Sequence, residues 1–179
     1  DVLKGTGIQV ASTLNFPIAN DTLPMKIAAL KEMIKTGVNQ FDFPPNPGLL
    51  LGGEEKAYFE EMRQIVEVAH ASGVIVKAML EFGYITTPEL KKKAAQLACE
   101  AGIDWVKQSS GWGVGGCPAT AEDVKILKEN ITLPCRVKVS GKVNTLEKMK
   151  TMFEAGAELV GTSSGPAIVD GLVGDINAY

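Results

Sequence analysis

Residues 100–107 read EAGIDWVK, and this stretch decides the fold. A helical pattern ends at Gly102, where a left-handed cap needs no Cβ, and a short link then delivers a β-rich run into a core. The same device recurs as KTGVNQF at 35–41, ASGVIVK at 71–77 and EAGAELVG at 154–161. Outward from these junctions, candidate strands start at Ile8 (IQVASTLNF), Asn39 (NQFDF), Val74 (VIVKAMLEF), Asp104 (DWVKQSS), Cys135 (CRVKVSG) and Glu158 (ELVGTSS). Their starts lie 31, 35, 30, 31 and 23 residues apart, the size of a βα unit. Amphipathic stretches fill the gaps. Pro24 to Thr36 carries Ile27, Leu30, Met33 and Ile34 at helical spacing, and Glu54 to His70 carries Tyr58, Met62, Ile65, Val66 and Ala69. Pro88 suits a first helical turn after Thr87, and Thr120-x-x-Asp123 resembles an acidic capping box.

Strict βα alternation calls for right-handed crossovers and a parallel sheet. Near-constant spacing, with no long order-reversing loop, favours a (β/α)8 barrel of the triosephosphate isomerase type over a doubly wound open sheet. Six βα units are two short of eight, and such barrels seldom run below about 200 residues. Residue 1 is Asp rather than Met, and DVLKGTG at 1–7 reads as the tail of an earlier helix with its glycine cap. The expectation is one partial barrel domain over residues 1–179, its other units preceding it.

Composition narrows the function. Of 179 residues, 45% are apolar and 22% charged, as in a globular chain. The net charge of −3 gives no electrostatic footprint for nucleic acid or an anionic membrane, and no apolar run approaches the roughly 20 residues of a span. Three cysteines (Cys99, Cys117, Cys135) and one histidine argue against both a disulfide framework and a Cys/His metal site. Free thiols suit a reducing cytoplasm. His70, alone before Gly73, reads as surface furniture.

In a parallel α/β architecture ligands sit at the C-terminal ends of strands. Those ends carry Asn15, Asp42, Glu81, Lys107, Lys138 and the Gly161-Thr162-Ser163-Ser164-Gly165 turn. Lys107 in WVKQS and Lys138 in RVKVS are anomalous, because burying an unpaired lysine is costly. Placed alike on adjacent strands, they meet across the mouth. Desolvation and a neighbouring positive charge both disfavour the ammonium, so one becomes a nucleophilic amine able to form a Schiff base. A structural ion network with Asp42 or Glu81 is the competing reading. Lys77 sits deeper and, by position, pairs with Glu81. Gly111-Trp-Gly113-Val-Gly-Gly116 satisfies G-x-G-x-x-G, but Cys117-Pro118 follows and the helix cap is Thr120, so this is a loop over the site rather than a dinucleotide motif. Cys117 reads as a bystander. The final turn, with N–H groups and hydroxyls at a short helix, is a candidate phosphate site.

Taken together, WVKQSSGWGVGG, RVKVSG and AGAELVGTSSG, with TLNFP, ALKEMI, FEEMRQIVEVAHASGVIVKAMLEFG and ATAEDVKILKEN in order, resemble the deoxyribose-phosphate aldolase family from about Val2 to Val169. The resemblance implies a class I aldolase that needs no metal or cofactor and cleaves 2-deoxyribose 5-phosphate to acetaldehyde and glyceraldehyde 3-phosphate. It further implies Lys107 as the Schiff-base lysine, Lys138 as the lysine that perturbs it and Asp42 as the acid of the proton relay. Gly111, Gly141, Lys142, Gly161, Ser163 and Ser164 become the substrate and phosphate contacts, in a homo-oligomer of two or more copies. Gln108 stands where the family has threonine, Lys142 replaces a glycine, Asn144 an arginine and Trp112 a lysine. Another Schiff-base aldolase or lyase, acting on an unphosphorylated aldehyde or keto substrate, is the enzyme alternative; a non-catalytic sugar-phosphate-binding barrel is the other.

Overall fold

Six short parallel strands lie in one sheet in strict chain order, in a computed structural model that describes residues 2–175. Asp1 and residues 176–179, which the single-domain expectation also spans, lie outside the described residues. The strands are β1 (Ala11–Thr13), β2 (Gln40–Phe43), β3 (Ile75–Met79), β4 (Trp105–Lys107), β5 (Arg136–Ser140) and β6 (Leu159–Gly161). Between and after them run α1 (Leu23–Lys35), α2 (Pro47–Leu51), α3 (Glu55–His70), α4 (Pro88–Glu100), α5 (Ala121–Glu129), α6 (Leu146–Glu154) and α7 (Gly165–Val169). Each strand pairs only with its neighbours in sequence. A doubly wound sheet reverses its strand order at a switch point; this winding does not, which is the pattern of a (β/α)8 barrel.

Local chemistry explains the boundaries. Thr87, Thr120 and Thr145 each accept a hydrogen bond from the backbone N–H three residues on, at 3.3, 3.1 and 3.1 Å, and so open α4, α5 and α6. After α1, α3, α4 and α6 the chain turns at Gly37, Gly73, Gly102 and Gly156, all with positive φ. Two features depart from the sequence expectation. The strands are shorter than the runs that mark them: β1 spans three residues of the nine in IQVASTLNF, β3 five of the nine in VIVKAMLEF, and β4 and β6 three each of the seven in DWVKQSS and ELVGTSS. β1 is exposed, with β2 its one pairing neighbour among the described residues. The chain leaves the sheet at Pro44 and Pro45, as the run Phe-Pro-Pro-Asn after Asp42 requires, but the helix α2 that follows is an addition, capped by Asn46, which accepts from Gly48 N at 2.9 Å.

Strand alternation separates two faces. Phe41, Phe43, Val76, Ala78, Val106, Val137 and Val139 are fully buried and belong to a core with Leu30, Tyr58, Met62 and Ile65 of the helices. The opposite face carries Asp42, Lys77, Lys107 and Lys138. A second buried charge pair braces the margin. Lys26 on α1 donates to Glu61 of α3 at 2.8 Å and to the Ala19 carbonyl at 2.7 Å, and Glu61 also accepts from Asn46 N at 2.9 Å. Removing one partner of a buried pair leaves an uncompensated charge. Glu61→Ala is therefore expected to lower the unfolding free energy by about 3–5 kcal/mol in urea titrations at neutral pH. A loss below about 1 kcal/mol is the size of an exposed pair and would show that water reaches Lys26 in the folded protein.

Candidate active site

The site grows from strand register. Lys107 and Lys138 are direct partners across β4 and β5, and Asp42 is the partner of Lys77 across β2 and β3. Parallel neighbours in register point to the same face, so four charged side chains converge without any loop having to deliver them. Asp42 lies at their centre. Its Oδ2 is 2.6 Å from Lys138 Nζ and 3.6 Å from Lys107 Nζ, and its Oδ1 is 3.1 Å from Lys77 Nζ. Lys77 is 1% exposed, Lys107 5% and Asp42 6%, which leaves three ammonium groups around one carboxylate in a nearly dry place.

That imbalance sets the electrostatics. Burial alone pushes the Asp42 carboxyl up, but the Lys138, Lys107 and Lys77 charges outweigh it and hold the acid below its ordinary range. All three lysines are pushed down, first by burial. Lys107 further depresses Lys138, and Lys77 depresses Lys107, while Asp42 opposes each shift and Glu81 also opposes that of Lys107. One carboxylate cannot neutralise three buried ammoniums, so a lysine here gives up its proton more readily than a lysine in water. A neutral amine at a strand's C-terminal end, beside an ionised acid, can attack a carbonyl.

Both structural readings of the lysines meet in this cluster, because the ion network and the candidate nucleophile are the same atoms. Lys77 is correctly placed as a deeper ion-pairing residue, but its partner is Asp42 and not Glu81. Glu81 instead accepts from Ser110 N at 2.9 Å and from Ser110 Oγ at 3.0 Å. Gly161 lies against Lys138, where a Cβ would stand 3.3 Å from Lys138 Cε. Gly111, Gly141 and Lys142 come together with Gly116, Cys117 and Pro118 around a cavity of about 70 Å³. Lys142 holds φ +59, a backbone conformation that favours glycine, in the turn after β5. Ser163 is exposed. Ser164 is 5% exposed, its N–H donates to Thr162 Oγ1 at 3.0 Å, and Gly174 packs against its hydroxyl. Gly111, Gly141 and Lys142 thus line one cavity, and the Thr162–Ser164 turn meets the adjoining segment where Thr162 Oγ1 donates to the Val143 carbonyl at 2.7 Å. Asn15 donates through its side-chain amide to Asp21 Oδ2.

The glycine-rich stretch is a loop, as its sequence indicates: α5 starts at Ala121, well beyond Gly116. Cys117 N–H donates to Ser109 Oγ at 2.8 Å, and burial pushes its thiol up, away from a reactive thiolate. Sequence reasoning missed Ser109 and Ser110 as organisers of this loop. Their spacing after Lys107 is the signal that was available, since a hydroxyl two residues before an amide is placed to accept its N–H.

Among known proteins, this chain is 38% identical over 168 residues to the deoxyribose-phosphate aldolase of Thermococcus gammatolerans, covering 94% of this chain and 73% of that one. It is 37% identical over 177 residues to the deoxyribose-phosphate aldolase of Lysinibacillus sphaericus, covering 99% and 78%. The chain belongs to the deoxyribose-phosphate aldolase family. It is accordingly an aldolase, an enzyme of the lyase class. No family model matches it. The fold agrees: the tetrameric deoxyribose phosphate aldolase of Aeropyrum pernix superposes with a TM-score of 0.83 at 24% identity, over 94% of this chain and 70% of that one. Among the described residues no helix is long and apolar enough to cross a membrane.

Asp42 gives the site a pH signature. Its folded pKa is depressed, so the stability it contributes is present above the ordinary carboxyl range and is lost as pH falls through the folded value. Asp42→Asn is expected to cost about 3 kcal/mol at pH 7, by analogy with breaking a buried pair, with the gap to wild type closing in denaturation curves below about pH 4. A gap that stays constant with pH would show that Asp42 is held by packing and not by charge.

Proposed function

We propose that the chain is a Schiff-base aldolase whose nucleophile is Lys107, acting on 2-deoxyribose 5-phosphate. The observation that carries this reading is the pairing of Lys107 with Lys138 in register, both on Asp42. The neutral Nζ of Lys107 adds to the substrate aldehyde to give a carbinolamine. Loss of water leaves an imine, which draws electrons from the adjacent carbon as the C–C bond breaks. Glyceraldehyde 3-phosphate departs and the enamine left on Lys107 takes up a proton; hydrolysis then releases acetaldehyde. Asp42 and Lys138 relay the protons of these steps, and Lys138 also keeps Lys107 from holding its own. The chain acts as one barrel domain in a homo-oligomer, as its tetrameric relative suggests, and its free thiols suit the cytoplasm.

Borohydride reduction in the presence of acetaldehyde is expected to fix a two-carbon adduct on Lys107. Lys107→Ala loses it, and Lys138→Leu forms it more slowly because Lys107 stays protonated. An adduct that survives Lys107→Ala, or maps to Lys77, would overturn the assignment.

For the phosphate, the small cavity at Gly111, Gly141 and Lys142 is the favoured subsite. A charge-assisted contact contributes about 1.5–3 kcal/mol against roughly 1 for a neutral hydrogen bond, so the lysine outweighs an N–H lost from the turn. The expected result is a kcat/KM for glyceraldehyde 3-phosphate at least about tenfold above that for glyceraldehyde, shrinking toward parity in Lys142→Gly. Parity in the wild type would move the assignment to an unphosphorylated acceptor.

A further inference from the structure

One acid that the proposed chemistry does not use holds the loop that follows Lys107, beside backbone bonds from the neighbouring strand end. Glu81 is two residues past the end of β3, is 2% exposed and adopts φ +55, a strained conformation for a residue with a side chain. Its Oε1 accepts from Ser110 N at 2.9 Å, and its Oε2 lies 3.0 Å from Ser110 Oγ, which in turn accepts from Trp112 N at 3.1 Å. Around it the two loops meet backbone to backbone. Leu80 N donates to Lys107 O and Phe82 N to Gln108 O, both at 2.8 Å, and Gly83 N donates to Gly115 O at 3.1 Å. A Cβ on Gly83 would collide with the Val114 and Gly115 carbonyls, and one on Gly115 would meet Tyr84 and Glu81 Oε2.

We infer that Glu81 is a positioning residue, a clamp whose carboxyl fixes the loop of residues 109–117 against the mouth of the site beside Lys107. The inference rests on the aldolase reading for its consequence but not for its geometry. The direction of its control follows from linkage. Burial pushes the Glu81 carboxyl up to about 7, against the opposing effects of the Ser110 bonds and the Lys107 charge. The other titratable groups facing it are Tyr58 of α3 and Cys117 at the far end of the loop, which its charge pushes up. Opening the loop would return Glu81 to water and toward an ordinary value, so the closed form binds the proton more tightly than the open one. Proton uptake therefore tightens the clamp, and ionisation above about pH 7 loosens it. A neutral acid keeps both contacts, with one oxygen accepting from Ser110 N and the other donating to Ser110 Oγ. Gln in place of Glu81 reproduces that closed state at every pH.

Trp112 reports the loop without any turnover, since it is 62% exposed and makes an edge contact with Phe16 at 6.5 Å. In a Trp105→Phe background, its fluorescence is expected to titrate with a midpoint near pH 7. The signal should be flat and closed-like in Glu81→Gln, and should titrate with a larger open fraction in Ser110→Ala, which removes the hydroxyl contact, keeps the N–H contact and leaves β3 untouched. With glyceraldehyde 3-phosphate and acetaldehyde, KM in the wild type should rise several-fold from pH 6 to 8.5 and stay level in Glu81→Gln. A Glu81→Gln signal that titrates like wild type, or a Ser110→Ala loop no more open than wild type at any pH, would overturn the clamp. Failure of the Lys107 adduct with an intact fluorescence titration would instead overturn the catalytic reading alone.

Discussion

A single buried carboxylate facing three lysines is the constraint on which the rest of this structure depends. Asp42 stands within 3.6 Å of Lys77, Lys107 and Lys138, on a face from which most water is excluded. With every group ionised, the cluster would hold three positive charges against one negative charge. Such an excess is unfavourable in a low dielectric, and the least costly relief is loss of a proton from a lysine. The feature that strains the fold is thus the one on which the proposed nucleophile rests. Strand register enforces it, because Lys107 and Lys138 are partners in a ladder and cannot move apart without breaking the sheet.

The packing around the cluster keeps it in this state. Valine and phenylalanine on the other face of the same strands bind the sheet to its helices, so the charged face cannot rotate into solvent. At the rim, Gly83 and Gly115 let two loops touch through their backbones, and Gly161 leaves room for the Lys138 stem. These glycines serve close approach, whereas Gly37, Gly73, Gly102 and Gly156 serve the left-handed caps.

Most of this was legible in the sequence. The glycine-capped junctions located β2, β3, β4 and β6, and the run CRVKVSG located β5, since each carries its own stop or start signals. Lys107, Lys138 and Asp42 stood out because charged residues in otherwise apolar strand runs are costly without a task. The length of β1 was not legible, because it depends on what lies beside the strand and not on its own residues. The partner of Lys77 was missed for a similar reason. Spacing along one strand suggested Glu81, while the partner came from the register with β2, which no local pattern encodes. The cavity that joins Gly111 to Gly141 and Lys142, and the bond from Thr162 to the Val143 carbonyl, likewise depend on segments far apart in the chain.

The three strand lysines share one carboxylate, so their individual titrations carry the whole electrostatic explanation. Residue-resolved amine labelling across pH, read by mass spectrometry on the intact folded protein, measures them directly. Lys107 is expected to titrate well below the ordinary lysine value of about 10.4, and to move back toward it in Lys138→Leu. A Lys107 that titrates at or above the ordinary value would mean that Asp42 satisfies the cluster, leaving no free amine for carbonyl chemistry.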